Sequence, residues 1–311
     1  MRGLLALVLA LMLAACSAGS APRDADVVIP PGSSLTKAAA ILEQAGGIES
    51  ADSFLRYAKL SGGDAAIKPG EYEIKQGTSG GDVLKMMQDG KTVQRFITVP
   101  EGMPSIMVYD RLMANPQLKG SITVPEEGSL LPETYAYQKG EQRSAVVKRM
   151  QDAMDKAWAE LWPERSTRAF PKDRNQAIAL ASIIEKETAL PAERTTVAAV
   201  YTNRLEVGMM LQADPTIIYP ITKGKPLGRR IRQSEIKDVN DYNTYAMAGL
   251  PKGPIANPSK SSIAAALNPN DSKALYFVAD GKGGHVFADT LAEHNANVKK
   301  WFAIRRARGE M

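Results

Sequence analysis

Glu185-Lys186-Glu187 closes a run of apolar residues, and one of its two carboxylates falls on the apolar side of a helix. Ala177, Leu180, Ala181, Ile183 and Ile184 recur at helical spacing and gather on one side at about 100° per residue. Glu187 follows Ile183 and Ile184 by one turn, within about 60° of the centre of that stripe. Glu185 falls toward its edge, and Lys186 points away. Pro191 disfavours helical geometry at Leu190, which puts Glu187 in the last turn. Desolvation and the negative end of the helix dipole both disfavour an ionised carboxylate there. Both raise its pKa toward the range of a general acid at neutral pH. The alternative is a boundary glutamate whose head reaches water.

Three polar segments follow: 211–216 (LQADPT), 241–245 (DYNTY) and 249–258 (GLPKGPIANP). Each reads as a loop or helix end rich in amide, hydroxyl and aromatic groups. Asn and Gln both donate and accept hydrogen bonds, and Tyr offers a flat face with a polar tip, which suits sugar rings. Singly, each segment is also ordinary turn chemistry. Beside a poised acid they point to a cleft for a polar polymer.

The pattern resembles the endolytic murein transglycosylases of the MltG/YceG-like family. The matching residues are 181–188 (ASIIEKET), 203–205 (NRL), 211–216, 242–245 (YNTY), 249–251 (GLP), 255–258 (IANP) and 277–287 (FVADGKGGHVF). The likeness runs from about residue 28 to 301. It implies that Glu187, the second glutamate of its motif, is catalytic. It also implies a cleft bordered by Asn203, Gln212, Asp214, Thr216, Tyr242, Asn243, Thr244, Tyr245 and Asn257. The implied reaction cuts the β-1,4 bond between N-acetylmuramic acid and N-acetylglucosamine inside peptidoglycan strands and leaves a 1,6-anhydro end. That is a lyase reaction.

One carboxyl group suffices for that chemistry, whereas ordinary glycosidases use a pair. The substrate's N-acetyl oxygen steadies the developing cation and its own 6-hydroxyl attacks, helped by proximity. Glu187 protonates the leaving oxygen and then accepts the 6-hydroxyl proton. The expectation includes no metal and no cofactor. In a hydrolase, Glu185, Glu193 and Asp214 are the candidates for a second carboxylate. Glu185 and Glu193 read as solvated helix charges, and Asp214 as a hydrogen-bonding loop residue. The resemblance also implies action beside peptidoglycan synthases on nascent strands.

Stepping along the chain gives the elements that must position these groups. The expected strands are 27–29, 72–75 and 93–99. The expected helices are Ser33 or Ser34 through Gln44 (ended by Gly46-Gly47), 51–60, 81–88 and 145–161. Residues 280–284 read as a hairpin turn, with His285 on the return strand and structural in role. The fold class expected is α+β. By resemblance, 26–99 is a LysM-like α/β module that holds glycan, with a purely structural subdomain as the alternative. Residues 100–174 form a connecting helical region. Residues 175–311 form a mainly helical, lysozyme-like catalytic region with a short β-hairpin.

The remaining features bound the function. Residues 1–22 read as an export or anchoring segment. Arg2 precedes an uncharged apolar stretch at 4–15, and Leu13-Ala14-Ala15-Cys16 looks like a lipoprotein cleavage box. The competing reading is one membrane-spanning helix over 3–22, which the family favours. Either anchor places the rest at the bacterial inner membrane on its periplasmic side. Cys16 is the only cysteine, so no internal disulfide forms. A net charge of +5 is mild, and its clearest cluster, Lys299, Lys300, Arg305, Arg306 and Arg308, suits a solvated helix end rather than nucleic acid. His285 and His294 match no metal spacing. Gly77-Thr78-Ser79-Gly80-Gly81 formally fits G-x-S-x-G, which makes a serine esterase using Ser79 one rival. A capping pair of Ser79 with Asp82 explains it more simply. A peptidoglycan-binding scaffold without turnover is the non-enzymatic rival.

Overall fold

The computed structural model describes residues 19–61 and 66–310. Cys16 and most of segment 1–22 lie outside the described residues. Among the described residues no helix is long and apolar enough to cross a membrane. The fold is α+β, with helices and three two-stranded sheets among the described residues. It divides into two compact units. One comprises the described residues through Phe96 together with Ala136–Glu141; the other comprises Ile97–Tyr135 and the residues from Gln142 onward.

In the first unit β1 (Ala25–Ile29) and β2 (Gly70–Ile74) pair antiparallel, with Val27 opposite Tyr72. Ala25, Val27 and Ile29 alternate inward. Onto them pack α1 (Leu35–Ala45) through Leu42, α2 (Ala51–Leu60) through Phe54, and α3 (Gly80–Asp89) through Val83 and Met87. Ser34, Ser50 and Ser79 each accept a backbone N–H of the first turn, worth about 1 kcal/mol per cap. Gly46 ends α1 at φ 82°, a conformation that costs any residue with a Cβ. Ser79 also donates its hydroxyl to Asp82 Oδ2 at 2.6 Å. That proton is committed within the next turn, so the esterase reading of Ser79 gives way to a helix cap.

Glu71 is buried on β2, and two parallel bonds of 2.7 Å from Arg95 Nε and Nη2 satisfy it. Arg95 opens β3 (Arg95–Thr98), which pairs with β4 (Thr134–Tyr137); the division between units falls within each of these strands.

The second unit contains α4 (Ser105–Met113), α5 (Arg143–Leu161), α6 (Arg174–Glu187), a 3-10 turn (Pro191–Glu193) and α7 (Arg194–Glu206). It continues with α8 (Asp214–Thr222), α9 (Gln233–Ile236), α10 (Lys260–Leu267), β5 (Tyr276–Ala279), β6 (His285–Ala288) and α11 (Leu291–Ala307). Its core is built around α6. Every residue from Ala177 to Ile184 is buried, so the helix has no solvent face over two turns. The one-sided stripe expected from periodicity is therefore corrected to a central helix, buried all round. Small residues make this possible. Ala177, Ala179, Ala181 and Ser182 leave room for neighbours, and Ser182 Oγ accepts from the Ile255 N–H at 3.1 Å. Trp158 and Trp162 stack at 4.6 Å against this core, as expected of core aromatics.

The Glu71–Arg95 pair yields a stability prediction. The Arg95 hydrogen bonds hold the Glu71 carboxyl below its ordinary value of 4.5. Its stabilisation is therefore complete above that value and is lost as pH falls below it. Arg95→Ala strands a buried carboxylate. It should lower the opening free energy of the first unit by roughly 2–3 kcal/mol at pH 7, less than for a fully enclosed pair because the guanidinium is partly exposed. Hydrogen exchange of the Phe54 and Tyr72 amides at pH 7 and pH 4 measures this; equal protection in variant and parent at pH 7 contradicts it.

Candidate active site

α6 ends at Glu187, and Thr188 leaves it in extended geometry with φ −136° and ψ 131°. Glu187 retains partial access to solvent. Enough protein still surrounds its carboxyl that desolvation is the largest influence on it, and its pKa is raised to about 7. A hydrogen bond with Tyr201 opposes the rise, Asp214 adds to it through like charge, and His285 and Arg204 oppose it. Half the population thus carries a proton near neutral pH, which is the state a general acid requires.

α7 brings two of these neighbours. Tyr201 is buried, and burial pushes its phenol well above the ordinary value, so it stays a donor toward Glu187. Arg204 is buried three residues later on the same face. Its Nε donates to Leu275 O at 2.6 Å and its Nη1 to Leu211 O at 2.7 Å. Its bonds are spent on carbonyls, so its charge reaches Glu187 without a direct pair. Sequence reasoning missed both as neighbours of Glu187. The available signal was a Tyr and an Arg three apart on an apolar helix, which becomes legible only once α7 is known to pack on α6.

Asp214 begins α8 and accepts the Tyr245 hydroxyl at 2.7 Å. Thr216 Oγ1 lies 2.9 Å from Thr244 Oγ1, and Thr244 also accepts the Ala213 N–H at 3.0 Å. These bonds lock loop 211–216 to loop 241–245. The lock holds Gln212 at φ 52°, a left-handed conformation unusual for a residue with a Cβ, with its side chain exposed. Asn243 is buried and donates to the carbonyls of Glu235, Ile236 and Asp238. Asn257 is buried and accepts the Leu130 N–H at 3.1 Å while donating to Met103 O at 2.9 Å. Asn203 donates to Ser272 O and Ala274 O. Tyr242 is half-buried against Tyr219, with ring centres 4.9 Å apart. Of the nine expected cleft residues, Asp214 and Tyr245 act electrostatically with Glu187. Asn203, Thr216, Asn243, Thr244 and Asn257 have their polar atoms engaged inside the chain.

The other carboxylates are placed differently from expectation. Glu185 is not a solvated helix charge: it is buried, and its Oε2 accepts the Ser259 N–H at 2.8 Å and the Ser259 hydroxyl at 2.5 Å at the start of α10. Glu193 is not solvated either, being paired with His285 at 2.7 Å. Desolvation alone would push Glu193 up, but hydrogen bonds from the His285 ring and backbone and from Thr188 hold it below the usual range. A further desolvated acid, Glu127, has a raised pKa and lines a cleft of about 480 Å³ with Arg174, Asn175 and Pro254, at the opposite end of α6. Its Oε1 already accepts the Ser105 N–H at 2.9 Å and Asn257 Nδ2 at 3.3 Å, which ties loops together.

Comparison with known proteins gives the family. A profile of the YceG-like family matches residues 27–300. The chain is 28% identical over 312 residues to the endolytic murein transglycosylase of Bacillus subtilis, covering 90% of this chain and 85% of that one. It is 30% identical to the protein of that name in Streptococcus pneumoniae serotype 2, covering 88% of this chain and 57% of the longer pneumococcal one. The crystal structure of a YceG-like protein from Listeria monocytogenes superposes with a TM-score of 0.56 at 30% identity, over 88% of this chain and 98% of that one. With nearly its whole length past residue 26 matched in order, the chain belongs to the YceG-like family.

Proposed function

We propose that this protein is an endolytic peptidoglycan lytic transglycosylase. It cleaves the β-1,4 bond between N-acetylmuramic acid and N-acetylglucosamine within nascent strands, forms 1,6-anhydro ends and so terminates strand growth. The observation that carries the reading is the Glu187 carboxyl, held protonated up to about pH 7 beside Tyr201. As the acid it protonates the glycosidic oxygen. The resulting carboxylate then takes the proton of the substrate's 6-hydroxyl as that oxygen closes on the anomeric carbon. Tyr201 orients the carboxyl through both steps. Gln212, Asp214 and Tyr245 meet the glycan, while Thr216, Asn243, Thr244 and Asn257 keep their loops in place. Tyr242 and Asn203 border the same cleft.

The matched relatives' names support peptidoglycan as the substrate. The first unit serves as the LysM-like module that holds the strand. An N-terminal anchor, a membrane span or a lipid on Cys16, keeps the enzyme at the inner membrane facing the periplasm, beside the synthases. Asp214, close enough to act on Glu187, favours one second reading, a hydrolase with paired carboxylates. The product end separates the two.

Glu187→Gln should retain the fold and lower release of anhydro-ended products from uncrosslinked glycan by about 10³-fold, measured by mass spectrometry. Undiminished release ends the assignment, and reducing muramic ends from the parent enzyme convert it to a hydrolase. Without turnover in the parent enzyme, the scaffold reading stands.

The same substitution should stabilise the protein at alkaline pH. The folded state raises the Glu187 pKa from 4.5 to about 7, so folding loses stability as pH climbs through that window and stays lowered above it. Urea unfolding should find Glu187→Gln about 2–3 kcal/mol more stable than the parent at pH 8 and equal to it near pH 4. A constant difference at both pH values contradicts the linkage.

A further inference from the structure

Glu193 and His285 form a pair that the acid–base cycle of Glu187 does not use. Resting on the reading of Glu187 as the proton carrier, we propose that they are a positioning pair: Glu193 fixes the His285 imidazole and, through Thr188 and the Phe277–Tyr201 ring contacts, the setting of the Glu187 carboxyl.

The geometry is specific. Glu193 Oε2 meets His285 Nδ1 at 2.7 Å, and Oε1 accepts the His285 backbone N–H at 2.8 Å. One carboxylate therefore grips the ring and the main chain of one histidine. Thr188 Oγ1 donates to the same Oε2 at 3.0 Å, and Thr188 directly follows Glu187. The Leu190 N–H donates to Thr188 Oγ1 at 3.1 Å, which fixes that hydroxyl in turn. The imidazole stands edge-on to Phe277 at 5.2 Å, and Phe277 stands edge-on to Tyr201 at 5.9 Å. Tyr201 is the residue bonded to Glu187. Ring rotation is thus blocked by packing on one side and by the Glu193 bond on the other. An ionised Glu193 requires the proton on Nδ1, which leaves Nε2 as the free nitrogen.

The charges around this pair are few. Glu187 is faced by Tyr201 and Arg204 from α7, Asp214 from α8, Tyr245 from its loop and His285 from β6. His285 is faced by Glu193 and Glu187, and Asp280 lies across the hairpin turn, where the N–H groups of Lys282 and Gly284 hold its carboxyl low. Arg204 carries a permanent charge already engaged with carbonyls. The side chains of His285 and Glu193 are 18% and 16% exposed, so water competes little for the bond between them. Proton balance is unaffected. The proton leaves Glu187 for the glycosidic oxygen as that bond breaks, and returns from the 6-hydroxyl as the new bond forms, with His285 unchanged in composition.

The test is His285→Gln, with the shape-conserving Glu193→Gln as a second variant should the first not fold. On uncrosslinked glycan, His285→Gln should lower kcat about tenfold with KM within about twofold. The alkaline limb of the rate profile, which begins near pH 7 in the parent, should move to higher pH. An unshifted limb, or a change in KM alone, overturns the proposal. Two measurements are independent of turnover. The 13C titration midpoint of the Glu187 carboxyl should rise in His285→Gln, and the His285 Nδ1–H proton resonance, assigned in a chain with two histidines, should move upfield in Glu193→Gln as its acceptor loses charge. If Glu187→Gln is fully active, the reading of Glu187 falls, while these shifts still decide whether the pair acts on that carboxyl. Absence of both changes refutes the pair.

Discussion

The constraint on which the site depends is that Glu187 is largely desolvated without being given a full counter-charge. Three glutamates in the chain show what decides the outcome. Glu235 meets Arg229 through paired bonds and falls to about 2. Glu193 accepts three hydrogen bonds, one from the His285 ring, and also falls. Glu187 meets a neutral hydroxyl, that of Tyr201, while the nearby guanidinium of Arg204 is turned to carbonyl oxygens. Side-chain type is the same in all three, so environment alone sets the proton affinity. The position of Glu187 at the C-terminal end of α6 adds the negative end of the helix dipole, which disfavours the ionised form further.

Holding a carboxyl in that condition requires a rigid frame, since its proton affinity follows how much protein surrounds it. α6 provides the rigidity by being enclosed on every side from Ala177 to Ile184. The fully buried Thr216 and Thr244 hold two loops to each other through the Thr216–Thr244 bond. Glu185, two residues before the acid, anchors the same turn to Ser259 at the start of α10. These groups are largely enclosed and fix where the end of α6 stands, and the left-handed Gln212 shows that the frame tolerates local strain to present a side chain outward.

Much of this was legible in the chain. Capping serines and the Gly46 stop marked α1 within a residue, and apolar spacing with Pro191 placed Glu187 in the last turn of its helix. What periodicity could not give was enclosure. An alanine-rich helix with a serine in it looks one-sided by sequence, and only the packing of α7 and α10 shows that Ala179 and Ser182 face protein as well. The same limit explains Glu185 and Glu193. A glutamate at a helix edge is usually solvated, and the partners that bury these two, Ser259 and His285, lie 74 and 92 residues away. Loop composition marked these segments as polar but not the division of labour within them. In loop 241–245 Asn243 and Thr244 turn inward while Tyr245 bonds Asp214, and one polar string gives no sign of that difference.

The arrangement also bears on why one acid is enough. A glycosidase that hydrolyses needs a second carboxylate, free to act as nucleophile or base. Here Glu185 is saturated by Ser259 and Arg194, and Glu193 by Thr188 and His285. Asp214 keeps electrostatic reach to Glu187 but accepts the Tyr245 hydroxyl, whose own proton is held firmly because burial raises that phenol. The like charge of Asp214 raises the Glu187 pKa. Attack then falls to a group the protein does not supply, and the 6-hydroxyl of the sugar being cut is already tethered at short range.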